Sequence, residues 1–180
     1  IIILSSSNMI LLIKLKNKDR LAQRQVYERF AGRLYAVCKR YLKKDEEAEE
    51  ALADAFFIIF TKIDQLQNVE VFEGWAKKIA VNQCLQTLRK KESILVSIDE
   101  ETFIEKHLAD QHSESSFEKD ILALLHFLPE GCRTIFNLFA VEGYPHREIA
   151  EMLSITEGTS KSQVNFARKK LQELLQTQNV

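Results

Sequence analysis

Helix breakers are scarce in this chain, which has two prolines and five glycines in 180 residues and few of the alternating apolar runs that mark half-buried strands. That scarcity argues for an all-α fold. Cysteine is scarce as well: Cys38, Cys84 and Cys132 are odd in number, far apart in sequence and not near paired histidines. They point to neither a disulfide framework nor a zinc site, so no metal is expected, and a reducing cytoplasm fits the pattern. Residues 1–13, IIILSSSNMILLI, are too short and too interrupted to span a bilayer, and they lack a basic leader or a small-residue cleavage site. No targeting signal is read there, and because the chain opens with isoleucine, Met9 is a candidate natural start. Glycine-rich phosphate loops and a Gly-x-Ser-x-Gly elbow are missing. His107, His112, His126 and His146 have no carboxylate or cysteine partner at metal spacing, so the expectation is a non-enzyme without cofactor or small-molecule substrate.

An excess of either charge is absent too, with 25 Lys and Arg against 26 Asp and Glu and a net charge of -1. Steering depends on local fields rather than totals. Asp45 to Asp54 holds six acids and no base, whereas Lys77 to Lys91 holds five bases and no acid. One face suits a basic protein partner and the other suits phosphate. Apolar residues are plentiful at 46%, enough for one medium domain or two small ones and too many for a wholly disordered chain.

Residues 1–18 read as an N-terminal extension, with a helical lead-in available at 10–14. From Asp19 an amphipathic helix is expected, carrying Leu21, Val26, Phe30, Leu34, Val37, Cys38, Tyr41 and Leu42, broken near Ala31 and Gly32. Asp45 is the expected N-cap of the next helix, whose acids suit the positive end of a helix dipole. In that helix Phe56, Ile59, Phe60 and Ile63 form an inward stripe, but Phe57 and Ile58 point elsewhere; a partner surface and a fully buried helix both account for the excess. The loop 65–74 has Val71 and Phe72, and the helix WAKKIAVNQCLQTLRKK follows. Its aromatic and basic residues suit unstacked bases and phosphates, and equally a solvated basic face. The first module is therefore set at 19–92, an acidic serine-rich linker at 93–116, and a second module at 117–180.

The second module reads as a helix through Ile121, Leu124, Leu125 and Leu128, a stop at Pro129, and a helix through Ile135, Phe136, Leu138 and Phe139 that ends at Gly143. Then HREIAEMLSITEGTSKSQVNFARKKLQELL reads as helix, turn, helix. The first helix buries Ile149, Ala150 and Leu153, and the second buries Val164, Ala167, Leu171 and Leu174 or Leu175. Ile155 plugs the corner and Thr156 caps the second helix. Ser154 stands where glycine usually makes the left-handed turn, and Ser160 where an apolar residue often packs. Lys161, Ser162, Asn165, Phe166 and Lys169 fall off the apolar stripe, at the end that enters a major groove in such motifs.

With DEEAEEALADAFFIIFTKI, FEGWAKKIAVNQCLQTLRK and LPEGCRTIFNLFAVEGYPHREIAEMLSITEGTSKSQVNFARKKLQELL in this order, residues 19–175 resemble the extracytoplasmic-function (ECF) RNA polymerase sigma factors. The resemblance implies two small all-α domains, like sigma regions 2 and 4, and a promoter-specificity subunit of bacterial RNA polymerase. It assigns Glu49, Glu50, Leu52, Asp54 and Phe57 to the clamp helices of the largest polymerase subunit. Asn68, Phe72, Trp75, Lys77, Lys78, Asn82 and Arg89 go to the minus-ten element and the melted strand. Lys161, Ser162, Asn165 and Phe166 go to the minus-thirty-five element, with Arg168 and Lys169 on phosphate. It further implies contact with the flap of the second-largest subunit, promoter DNA as ligand, and an anti-sigma factor as regulator. The rival reading is a stand-alone helix-turn-helix regulator, which would need a sensor or dimerisation module in the first half. No βα alternation marks one there.

Overall fold

The computed structural model describes residues 6–90 and 124–178. The expected linker, Lys91, His107, His112 and Ile121 lie outside the described residues. By its contacts the chain divides into two compact units, Ile1–Thr87 and Leu88–Val180. Every described element is helical.

In the first unit the lead-in is a helix, α1 (Ser6–Lys16), which buries Leu11, Leu12 and Leu15. Its Lys16 ammonium donates to the Leu66 carbonyl. Asp19 then caps α2 (Arg20–Tyr41) by accepting from the Ala22 N–H at 2.9 Å. The buried stripe of α2 is Ala22, Val26, Phe30, Leu34, Val37, Cys38 and Tyr41, mostly four residues apart. Leu21, expected on that stripe, is 65% exposed. Nor does the helix break at Ala31–Gly32. One exposed glycine costs a helix about 1 kcal/mol, less than the burial of a single core side chain such as Phe30, at roughly 1.5–3 kcal/mol.

Helix α3 (Asp45–Lys62) places Ala48, Ala51, Leu52, Ala55, Phe56 and Ile59 inward. The three alanines allow α2 and α3 to approach closely, and Phe56 meets Tyr27 at 4.7 Å between ring centroids. Asp45 is not the N-cap, since Lys44 holds that position without a side-chain bond. The carboxylate of Asp45 instead accepts from Lys39 Nζ at 2.7 Å and from Tyr35 O–H at 3.1 Å, tying α3 to α2. Those two bonds, Lys39 first, hold the Asp45 carboxyl below its ordinary pKa. Short 3-10 turns at Ile63–Gln65 and Val69–Val71 lead into α4 (Phe72–Lys90), where Phe72, Ala76, Ala80 and Cys84 form the buried line.

In the second unit Pro129 precedes α5 (Glu130–Phe136), which widens into a π-helical turn at Asn137–Val141. Gly143, at φ +78°, reverses the chain in a conformation that L side chains rarely adopt. Helices α6 (His146–Leu153) and α7 (Glu157–Gln178) follow. Leu125, Leu128, Cys132 and Ala167 form a core cluster, with Phe136, Phe166 and Leu171 packed against it.

Ser154 takes the left-handed conformation at φ 56° and ψ 43°, the backbone that the turn requires. Because that conformation penalises a Cβ, Ser154→Gly is expected to stabilise the second unit by up to about 1 kcal/mol. A higher urea midpoint at unchanged slope would show it; a fall would mean that the serine side chain stabilises the turn.

Candidate nucleic-acid and polymerase interfaces

The turn between α6 and α7 is closed by backbone and side chain together. Ile155 N–H donates to the Ala150 carbonyl at 3.0 Å, and Thr156 caps α7 by accepting from the Thr159 N–H at 3.0 Å. Ile149, Ala150, Leu153, Val164 and Ala167 are buried as their spacing requires, while Leu171 and Leu174 are half-buried and Leu175 is exposed. Ser160 is fully buried, and its hydroxyl lies 2.9 Å from Nδ1 of His146. The His146 ring stacks on Phe139 at 4.3 Å and 12°, and the Arg168 guanidinium lies over the same Phe139 ring at 5.6 Å. This pairing supplies a partner for a hydroxyl at a position where an apolar side chain would otherwise pack. Sequence reasoning missed it, because neither residue signals the other across the turn.

On α7 the side chains of Lys161, Ser162, Asn165, Arg168 and Lys169 are exposed at spacings that share one broad face. Lys161 is paired with Glu157 at 3.6 Å, and the Ser162 hydroxyl donates to the Thr159 carbonyl at 3.0 Å. Phe166 does not join that face fully. It is half-buried against the cluster of Leu125, Leu128, Cys132 and Ala167, because packing removes its ring from water.

In the first unit, Glu50, Asp54 and Phe57 stand at i, i+4 and i+7 on the exposed side of α3, with Glu49 exposed beside them. Phe57 is 70% exposed, an unusual position for a ring of its size. Leu52 is only 8% exposed and packs inward with the alanines, so it belongs to the core rather than to this face.

Along α4, Trp75, Lys78, Asn82 and Gln86 follow one another at spacings of three and four. The last three are exposed and Trp75 is half-buried; Lys77 is half-buried on another side, and Arg89 is exposed in the last turn. Asn68 caps the 3-10 turn before the helix, its side chain accepting from the Glu70 N–H at 2.8 Å. Phe72 offers no stacking surface. It is 0% exposed, with its ring edge-on to Phe30 at 5.0 Å and 6.2 Å from Trp75. The exposed apolar side chain of this loop is Val71.

Two of the cysteines that are distant in sequence, Cys38 on α2 and Cys84 on α4, are both fully buried in the first unit. Cys132 stands apart in the second unit; burial pushes its thiol up to about 12, and it donates to the Gln163 carbonyl at 3.5 Å. Among the described residues no group of three or more His, Cys, Asp or Glu side chains is placed to hold a metal ion, and no helix is long and apolar enough to cross a membrane.

A helix-turn-helix unit, joined in one chain to a helical unit with separate acidic and basic faces, is the architecture of a DNA-binding transcription protein. Residues 26–94 match the family described as Sigma-70 region 2, and residues 118–171 match Sigma-70, region 4. Over 175 residues the chain is 23% identical to the ECF RNA polymerase sigma-E factor of Haemophilus influenzae, covering 91% of this chain and 92% of that one. Over 157 residues it is 27% identical to the ECF RNA polymerase sigma factor SigM of Mycobacterium tuberculosis, covering 87% and 79%. The structure of the sigma factor RpoE of Bartonella quintana, solved in complex with the anti-sigma factor NepR, superposes with a TM-score of 0.52 at 25% identity, over 85% of this chain and 96% of that one. The chain belongs to the sigma-70 family, in its ECF group, the promoter-specificity subunits of bacterial RNA polymerase.

Proposed function

We propose that three exposed faces divide the work of this sigma factor. The acidic face of α3, with Glu49, Glu50, Asp54 and Phe57, docks on the clamp helices of the largest polymerase subunit. Trp75, Lys77, Lys78, Asn82 and Arg89 of α4, with Asn68 in the loop before it, hold the minus-ten strand. Lys161, Ser162 and Asn165 of α7 read the minus-thirty-five element in the duplex, with Arg168 and Lys169 on phosphate. The observation that carries this reading is the run of Trp75, Lys78, Asn82 and Gln86 along one side of α4, in the stretch that matches region 2.

Extruding a base costs a few kcal/mol. In this reading the chain is not an enzyme, and binding of the single strand offsets that cost. A half-buried tryptophan supplies a stacking surface, cations hold the backbone, and an exposed amide discriminates base edges. Phosphate contacts then set affinity and its salt dependence, whereas base contacts set which promoters are chosen. The second unit contacts the flap of the second-largest subunit, and the chain works in the cytoplasm with core polymerase. An anti-sigma factor is the expected regulator, as NepR is the partner in the Bartonella quintana complex. The stand-alone regulator reading is not favoured, since residues 26–94 match region 2.

The test is transcription in vitro from a pool of promoter fragments by purified core polymerase, with and without this chain. New start sites are expected only with the chain. Asn82→Ala and Lys161→Ala should each weaken them by about 5- to 150-fold, the effect of losing one base contact of about 1–3 kcal/mol. Duplex binding without any association with core polymerase would overturn the assignment of the three faces.

A further inference from the structure

We propose that Phe139 and His146 form an aromatic brace that holds the Arg168 guanidinium in position for a DNA phosphate before the duplex arrives. The inference rests on the reading of Arg168 as a phosphate contact beside the minus-thirty-five element. Phe139 lies in the π-helical turn Asn137–Val141, His146 opens α6, and Ser160 and Arg168 belong to α7, so the cluster ties three elements of the second unit together. Turns of this π type are rare and are frequently found at functional sites.

Each contact restrains the next. Ser160 is fully buried, and its hydroxyl is hydrogen-bonded to Nδ1 of His146 at 2.9 Å. A hydrogen bond is directional where an apolar contact is not, so it orients the imidazole ring. That ring stacks on Phe139 with 4.3 Å between centroids and 12° between planes, and the Arg168 guanidinium lies over the Phe139 ring, 5.6 Å from its centroid. This is within the reach of a cation–π contact. Both rings are half-buried and Arg168 is exposed, so the stack stands at the rim of the unit, outside the core cluster of Leu125, Leu128, Cys132 and Ala167.

A guanidinium offers two kinds of surface. Its face meets the ring, while its N–H donors point outward in its own plane, where phosphate oxygens can accept them. A carboxylate, such as the Glu157 that pairs with Lys161 at 3.6 Å, competes with phosphate for the cation's donors; an aromatic ring does not. Stacking therefore restrains Arg168 and leaves its donors available. Ordering a long side chain at the moment of binding weakens affinity by about 2- to 12-fold, the equivalent of about 0.5–1.5 kcal/mol, and a side chain already held avoids that loss. Since phosphates are alike in every sequence, the brace raises affinity without choosing promoters.

The test has two parts. In the free full-length chain, nitrogen relaxation should find Arg168 Nε more ordered than Nε of Arg147, whose side chain is 80% exposed in its pair with Glu151, and Phe139→Leu should remove the difference. Core polymerase reconstituted with each variant is then titrated with a labelled promoter duplex at several salt concentrations. Phe139→Leu should weaken binding by about 2- to 12-fold on all promoters alike, and Phe139→Tyr, which keeps the ring, should bind as the parent does. Arg168→Ala should lower the salt slope by about 1, and adding Phe139→Leu to it should change nothing further. An equal loss from Phe139→Leu with and without Arg168 would make the ring a support of the fold alone and overturn the brace. So would an Arg168 as mobile as Arg147 in the parent, a result that needs no variant to fold. Parent-like binding by Arg168→Ala would overturn the phosphate reading together with the brace.

Discussion

Phe72→Ala is expected to destabilise the first unit by about 3–5 kcal/mol, the range for removing a buried phenylalanine ring. The ring is 0% exposed and edge-on to Phe30, so its loss leaves a cavity between α2 and the first turn of α4. Unfolding in urea should show a transition moved to markedly lower denaturant, with polymerase and strand binding lost together because one module carries both proposed faces. Trp75→Ala offers the contrast. Trp75 is half-buried on the side of α4 proposed to face the strand, so its removal should weaken single-strand binding by about 1–3 kcal/mol per stacked base with a smaller effect on the melt. If Phe72→Ala left the melt unchanged and removed only strand binding, the ring would have to leave the core when DNA arrives, and the packing described above would not be the resting arrangement.

Phe57→Ala should behave in the opposite way. Its ring is 70% exposed and makes little contribution to the interior, so stability should change by no more than about 0.5 kcal/mol. Affinity for core polymerase should fall by about 30-fold or more, the effect of a hot-spot aromatic contributing at least about 2 kcal/mol. Asp54, one turn away on the same face, should modulate that affinity in a salt-dependent manner, and Asp54→Lys is expected to slow association more than it speeds dissociation. Titration of labelled core polymerase with each variant measures these effects. Unchanged affinity in Phe57→Ala would remove α3 as the docking face, and the exposed ring would then need another partner.

Much of the helical framework was legible because helix formation and amphipathic patterning are local. Ile149, Ala150 and Leu153 recur at three and four residues and are buried together, and Thr156 caps α7 as its position before Glu157 and Gly158 implies. The left-handed backbone at Ser154 follows from the turn and not from the serine, so it was readable as a departure from the usual glycine. The acidic and basic blocks were readable by counting charge, because solvated charges remain on the surface of whichever helix carries them.

What the sequence determined by itself, then, was most of the described helices and their buried stripes, the helix-turn-helix and the separation of charge. Only the tertiary structure decided which side chains adjacent in the pattern belong to the core. Phe72 fills the space beside Phe30, Leu52 turns inward among the alanines of α3, and Phe166 packs against Leu125 and Leu128, although the family resemblance alone points each toward an interface. It also decided that α2 runs unbroken past Gly32, since packing along the whole stripe outweighs one unfavourable residue. The contact of His146 with Ser160 likewise had no signature in either local stretch. The physical reason is common to all of these. A helical period depends on neighbours three and four residues away, whereas burial and pairing depend on what another helix presents at the same point in space.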